Sequence, residues 1–313
     1  MSALAPPRMR PVALLVAAIM LLAGSAGAQI LPWEITVAEI EAGRLRGLAQ
    51  RLAKQNLLYQ LRLGDVRKSD LVETSGRIDR VILSLEKGSP SYSVPAAWTP
   101  ALREQLEKVD EAWGPMRRIA TASAYDTFRL SREFVPRDSR RGDPLLLRYF
   151  DELAQNLVSE SEALLDVYHQ ECVKTGLEVC ATARTSGYAA MLIERAAKEA
   201  VQVVANLDPV ESQKQLKRTI AAYGELREAN QDSPFFADAL DPSRGLSAKA
   251  AGELLTSLRD DWDAMQNQFT MLAAGDEENF DLQAMLLVHG RLVDKVERMT
   301  AALVRYASLA YGS

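Results

Sequence analysis

Two glycines four residues apart, with an arginine between them, constrain what this chain can fold into more than any other feature. They lie in the segment 40–54, whose leucines would fall on one face of a helix, as in a bundle core. The opposite face would carry Gly43, Arg46, Gly47 and Gln50. Each glycine destabilises a helix interior by roughly 1 kcal/mol relative to alanine. We therefore expect a second helix to pack closely on this bare backbone and to cover the arginine.

The segment resembles the signature of the PilJ-like family. This family comprises the N-terminal domain of type IV pili methyl-accepting chemotaxis transducers and the periplasmic sensing domain of nitrate/nitrite sensor kinases. The residues that match its pattern are Ala42, Gly43, Arg46, Gln50, Arg51, Ala53 and Lys54. Gly47 departs from the pattern, because most members have Met there. The resemblance implies a four-helix bundle that binds a small oxyanion through Arg46, with Gly43, Gly47 and Gln50 beside it.

The chemistry of an arginine fits such a ligand. Nitrate and nitrite are small and planar, and the parallel N–H donors of a guanidinium match two of their oxygens. The alternative interpretation of Arg46 is an exposed arginine on an outward helix face. No histidine pair, cysteine cluster or phosphate-binding loop accompanies it, so we expect no catalytic residue, metal or cofactor.

The signature recurs in the second half of the chain. Shifting the sequence by 144 residues aligns it with the segment 186–198. The matching pairs are Gly43 with Gly187, Leu48 with Leu192, Arg51 with Arg195, Ala53 with Ala197 and Lys54 with Lys198. Met191 stands opposite Gly47, and Ala190 stands opposite Arg46. Because alanine offers no side-chain hydrogen bond, we expect the second copy to be degenerate and structural.

Helical composition and this repeat predict an all-α fold of two tandem up-down four-helix bundles. Module 1 would span residues 29–142, with its fourth helix continuing to 173, and module 2 residues 174–313. Tryptophan and methionine residues at equivalent positions of the two third helices are expected in the cores. They are Trp113 with Met116 and Trp262 with Met265.

Two pairings of the signature helices are open. In a homodimer, Arg46 would meet its copy in a symmetric anion site. In an internal pairing, the two modules of one chain would pack together, and Arg46 would face Ala190 and Glu194. A carboxylate there would compete with an anion for the arginine, so this arrangement predicts poor nitrate binding.

The first 28 residues are typical of a secretory signal peptide. Arg8 and Arg10 precede an apolar run of about 12 residues, too short for the ~20 of a membrane span, and Ala26-Gly27-Ala28 offers a cleavage site. We therefore expect a periplasmic protein. In an exported protein, Cys172 and Cys180 favour a disulfide, with the turn at residues 174–176 bringing them together.

The charge balance argues against some partners. Without the two leader arginines, 35 basic residues oppose 42 acidic ones, a net charge of −7. Such a chain has no electrostatic reason to bind nucleic acid. We expect a non-enzymatic sensory protein that binds a small oxyanion and signals through a membrane receptor or sensor kinase. The alternative is a periplasmic structural or adaptor protein that has lost its ligand.

Overall fold

Long helices make up nearly all of the structure. The computed structural model describes residues 30–125, 142–177, 179–231 and 246–311. The α-helices in these ranges are α1 (Pro32–Leu61), α2 (Lys68–Lys87), α3 (Pro100–Tyr125), α4 (Pro144–Val173), α5 (Val179–Val204), α6 (Pro209–Gln231), α7 (Leu246–Ala273) and α8 (Leu282–Tyr311). A short 3-10 helix, Pro90–Tyr92, lies between α2 and α3. The all-α prediction is confirmed.

Helix ends follow from local sequence. Helix α4 begins with Asp143, whose carboxylate accepts a hydrogen bond from the Leu145 amide at 2.9 Å, and Pro144 occupies its first turn. Gly88 follows the last residue of α2 as its C-cap. Its φ of 80° is a backbone conformation that residues with side chains disfavour. These residues mark where α4 begins and where α2 stops.

Each group of four consecutive helices packs as a ring. Helix α1 contacts α2 and α4, and α3 closes the ring between them. Helix α5 contacts α6 and α8, and α7 closes the second ring. One hydrophobic cluster is drawn almost wholly from α1–α4 and another mainly from α5–α8. Trp113 and Met116 are buried in the first, and Trp262 and Met265 in the second, which confirms their predicted core positions.

The two rings meet along α1 and α5, which form the most extensive helix pair of the described residues. Helix α1 also contacts α8, and α4 contacts α5. The described residues from Pro32 onward form a single compact unit. The module boundaries predicted at residues 142 and 174 therefore stay a prediction.

The predicted disulfide between Cys172 and Cys180 is confirmed. Its two Cα atoms are 5.8 Å apart, and the bond joins the end of α4 to the start of α5. Gly176 has φ 73° in the turn between them. The disulfide therefore fixes the corner at which the first four helices connect to the last four.

The predicted signal peptide, residues 1–28, lies outside the described residues. None of the helices in the described ranges combines the length and the apolar composition that a membrane crossing requires.

Candidate functional site: a helix crossing with a buried arginine

Helix α5 approaches α1 at the signature glycines. A Cβ atom placed on Gly43 would lie 3.6 Å from the Gly187 Cα, and one placed on Gly187 would lie 3.2 Å from the Gly43 Cα. A Cβ on Gly47 would lie 3.8 Å from the Met191 amide nitrogen. The two backbones thus pack against each other at repeat-equivalent glycines, because neither glycine has a side chain to separate them. This is the internal pairing, and α5 occupies the place that a second protomer's signature helix would take.

Arg46 is completely buried beside this crossing. Its guanidinium forms an ion pair with Glu162 of α4, and its Cζ lies 5.6 Å from the ring centre of Tyr188 on α5. Burial lowers the pKa of Arg46, an effect that the charge and hydrogen bond of Glu162 oppose. The Nε and Nη2 atoms of Arg46 have no hydrogen-bond partner among the described residues. The crossing therefore holds a buried cation with two unused nitrogen donors.

Glu162 connects Arg46 to the protein surface. About two fifths of its side chain is solvent-accessible, whereas that of Arg46 is 1% accessible. Its other carboxylate oxygen lies 3.6 Å from a guanidinium nitrogen of Arg184 on α5, which also pairs with Asp166. Glu162 thus lies between Arg46 and Arg184 and keeps part of its side chain in contact with solvent.

Gln50 lies one turn beyond Arg46 on α1 and faces α4. Its Nε2 atom is 3.5 Å from the Gln155 Oε1, and its own Oε1 has no partner among the described residues. Of the predicted site residues, Gly43, Arg46 and Gly47 therefore gather at the α1–α5 crossing, and Gln50 extends the polar stretch along α4. That these residues bind a ligand stays a prediction.

A second buried cluster links α1 to α5 and α8. The Glu194 carboxylate lies 2.7 Å from the Arg51 Nε, 2.6 Å from the Lys54 Nζ and 3.1 Å from the His289 Nε2. Desolvation favours the neutral acid, but the charges of Lys54, Arg51 and His289 outweigh it and hold the pKa of Glu194 well below its ordinary value. The expectation that Glu194 would face Arg46 is wrong, because Glu194 pairs instead with Arg51 and Lys54, which lie one and two turns further along α1.

Glu39 forms a third buried polar group, near the disulfide. One carboxylate oxygen lies 2.7 Å from the His169 Nδ1, and burial raises the pKa of Glu39 to about 8 against the opposing charge of Arg184. A carboxylate oxygen of Glu39 and the sulfurs of Cys172 and Cys180 lie within 4.8 Å of one another. Because the two sulfurs are bonded to each other, they offer no thiolate to a metal ion.

Sequence reasoning missed the residues that surround Arg46. Glu162 and Arg184 carry no local signature, and Tyr188 lies within the segment 186–198 without a feature that marks it as a neighbour of Arg46. The only available signal was the amphipathic pattern of α4, which would place Glu162 near the edge of its buried face. Which residue pairs with Arg46 depends on the register between α4 and α1, and that register is set by tertiary packing.

The described structure defines a helical-bundle protein in which a buried arginine lies where two signature helices cross. Residues 41–130 match the family model PilJ, described as "Type IV pili methyl-accepting chemotaxis transducer N-term". The matched segment contains the signature residues 42–54, in keeping with the resemblance that the sequence predicted. The match does not reach residues 186–198, so a second copy of the domain stays a prediction. Comparison with curated proteins and with solved structures gave no match.

Proposed function

We propose that this protein is a periplasmic sensory module that binds a small planar oxyanion, nitrate or nitrite, at Arg46 and passes the signal to a membrane receptor or sensor kinase. The family match to chemotaxis-transducer N-terminal regions supports the sensory role. The leader-like N-terminus and the disulfide support export. The observation that carries the ligand assignment is the buried guanidinium with two unpartnered nitrogens.

The ligand would enter by replacing Glu162. A buried arginine needs a negative partner, because removing the anion from a buried pair leaves an uncompensated charge. Glu162 supplies that partner in the unliganded protein and reaches solvent, so it competes with any external anion. A planar oxyanion would use the nitrogens that Glu162 leaves unsatisfied. The internal carboxylate makes affinity weaker than in a site of two arginines, in keeping with the prediction for internal pairing.

Exchange of the partner would also carry the signal. Glu162 belongs to α4, whereas Arg46 belongs to α1 and Tyr188 to α5. When an anion takes over Arg46, the tie between α1 and α4 is released, and Glu162 is free to pair with Arg184 on α5 alone. Ligand would thereby favour one packing of α4 over another, and a partner that contacts the outer face of α4 would read the difference.

Thermal unfolding with nitrate, nitrite and chloride tests the assignment. At a free anion concentration of ten times the Kd, binding stabilises the folded protein by about 1.4 kcal/mol. We expect this gain with nitrate or nitrite in the wild-type protein, a larger gain at the same concentration in Glu162→Gln, and none in Arg46→Lys. Lysine keeps the positive charge but lacks the planar pair of donors.

Arg148→Ala is the matched control, because Arg148 is an exposed arginine of α4 away from the crossing. It should respond to nitrate as the wild type does. If neither the wild type nor Glu162→Gln is stabilised by any small oxyanion, the ligand assignment is wrong. That result would favour the second candidate, a structural or adaptor protein, since the ion pair with Glu162 already completes the crossing without a ligand.

A further inference from the structure

A cavity of about 250 Å³ lies between the two bundles, at the junction of α1, α2, α5 and α8. Gly47 of α1 and Ala190 of α5 form one wall of the cavity, so neither helix places a large side chain at that point. Met191, the residue equivalent to Gly47 in the repeat, is buried in the second core. Gly47 therefore places no side chain in the cavity, whereas the methionine at the equivalent position of α5 packs into a core.

The interior of the cavity is apolar. Buried aliphatic side chains of all four helices and of the loop after α2 line it, and we call them the floor. They are Leu48, Val81, Val94, Ile193 and Val296. An apolar protein cavity of roughly 150 Å³ is large enough to bind benzene. A space of 250 Å³ can therefore hold a ring or branched chain of that size together with a small polar group.

The lining of the cavity is rich in arginine. Four arginines contribute to it, Arg44, Arg51, Arg77 and Arg80, against three glutamates, Glu41, Glu194 and Glu297. The Lys54 Nζ lies 2.6 Å from the Glu194 carboxylate and adds a further positive charge next to the lining. The lining thus carries more positive than negative charge.

The arginines of the described lining differ in whether they have an ion-pair partner. Arg44 pairs with Glu41, and Arg51 and Arg77 share Glu297 at 2.9 and 3.1 Å. No such partner exists for Arg80 among the described residues, and its side chain is exposed beside the cavity. Burial disfavours the charge of Glu297, yet the hydrogen bond and charge of Arg77 and the charge of Arg51 lower its pKa. The electrostatic environment of the cavity therefore favours an anion.

From the apolar floor, the glycine wall and the unpaired arginine, we infer that this cavity binds a small monocarboxylate with an aromatic or branched aliphatic body. The apolar body would lie on the valine, leucine and isoleucine floor, and the carboxylate would face Arg80 and Arg77. This cavity shares Gly47 with the crossing, but Arg46 and Glu162, which form the ion pair of the oxyanion site, do not line it. The inference does not depend on the proposed function.

Calorimetric titration with phenylacetate, and with phenylacetamide as its uncharged counterpart, tests the inference. We expect one phenylacetate to bind per chain and phenylacetamide to bind about tenfold more weakly, because it forms no charge-assisted hydrogen bond. Equal binding of the two compounds would overturn the inference, and so would a Kd for phenylacetate weaker than about 10 mM.

Two variants locate the site. Gly47→Met introduces the residue that the segment 186–198 has at this position and should abolish phenylacetate binding by filling the cavity. Gly224→Met, at a glycine with open space around it, should not.

Arg80→Ser should weaken phenylacetate binding about two- to fivefold. Its control is Arg298→Ser, which changes an exposed arginine of α8 outside the cavity. If Gly47→Met does not fold, Arg80→Ser decides. Unchanged binding in Arg80→Ser would place the ligand elsewhere, and Glu162→Gln, which alters only the oxyanion site, should leave phenylacetate binding as it is.

Discussion

Glu39 is a buried carboxyl group that should make this protein less stable as the pH rises. It is completely inaccessible to solvent, and its only described hydrogen bond joins its Oε1 to the His169 Nδ1 at 2.7 Å. Its Oε2 has no partner among the described residues. Burial raises the pKa of Glu39 to about 8, although the charge of Arg184 on α5 acts in the opposite direction. At neutral pH the folded protein therefore keeps this proton, and the unfolded chain loses it.

The magnitude follows from the two pKa values. In the unfolded chain the carboxyl group titrates near 4.5, its ordinary value. Because the folded value is the higher one, the folded state binds more protons between these limits. The stabilisation is complete below about pH 4.5 and is lost at about 1.4 kcal/mol per pH unit up to about pH 8. Between pH 5 and pH 7 the contribution of Glu39 to the free energy of unfolding falls by about 3 kcal/mol.

Urea denaturation of Glu39→Gln and wild type between pH 5 and 8 measures this contribution. Glutamine can still accept the hydrogen bond from His169 but cannot ionise, so the variant should gain about 3 kcal/mol relative to wild type from pH 5 to pH 7. The control is Glu73→Gln, which removes an exposed carboxylate from α2 and should keep the wild-type slope. Parallel curves for Glu39→Gln and wild type would show that Glu39 ionises as readily in the folded protein as in the unfolded chain, and the reasoning would be refuted.

Two further predictions concern the contact between α1 and α5. Gly187→Ala should destabilise the protein by about 1–3 kcal/mol, because the new Cβ would lie 3.2 Å from the Gly43 Cα, whereas Gly224→Ala in α6, with nothing within 4 Å, should stabilise it by up to about 1 kcal/mol. Thermal unfolding measures both, and equal shifts of the same sign would contradict the close approach. Glu194→Gln should cost about 3–5 kcal/mol at pH 7 in urea denaturation, because it leaves Lys54 buried without its carboxylate. Since the pKa of Glu194 is lowered, this loss should persist down to the ordinary glutamate range and shrink only below it, and a loss that is already gone at pH 6 would contradict the assignment.

The close crossing could be anticipated from sequence because its cause is local. A glycine opposite a leucine stripe is unfavourable in a solvent-exposed helix, and the repeat put Gly187 in the same place on α5. The disulfide was equally local, because only a turn at residues 174–176 allows Cys172 and Cys180 to meet. In both cases the feature depends on residues near in sequence or on an internal comparison of the chain with itself.

The polar groups around the crossing could not be anticipated, because they depend on the register between helices distant in sequence. Glu162 is 116 residues from Arg46, and His169 is 130 residues from Glu39. A shift of α4 by a single turn would exchange these partners for others, and no pattern within α4 distinguishes the two registers. Glu39 itself lies one residue before the segment 40–54, outside the pattern that singles out Arg46.

The sequence differences between the segments 42–54 and 186–198 favour the pairing of α1 with α5 within the chain. Two copies of α1 would place Gln50 where the internal pairing has Glu194, since these positions are equivalent. Lys54, which is buried, would then lack its carboxylate, while Arg51 would keep only Glu297, and an uncompensated buried charge destabilises by several kcal/mol. The replacement of a neutral glutamine by Glu194 therefore favours α5 over a second α1 as the partner. Because Ala190 stands at the sequence position equivalent to Arg46, the internal pairing buries one such arginine instead of two, and Glu162 pairs with it.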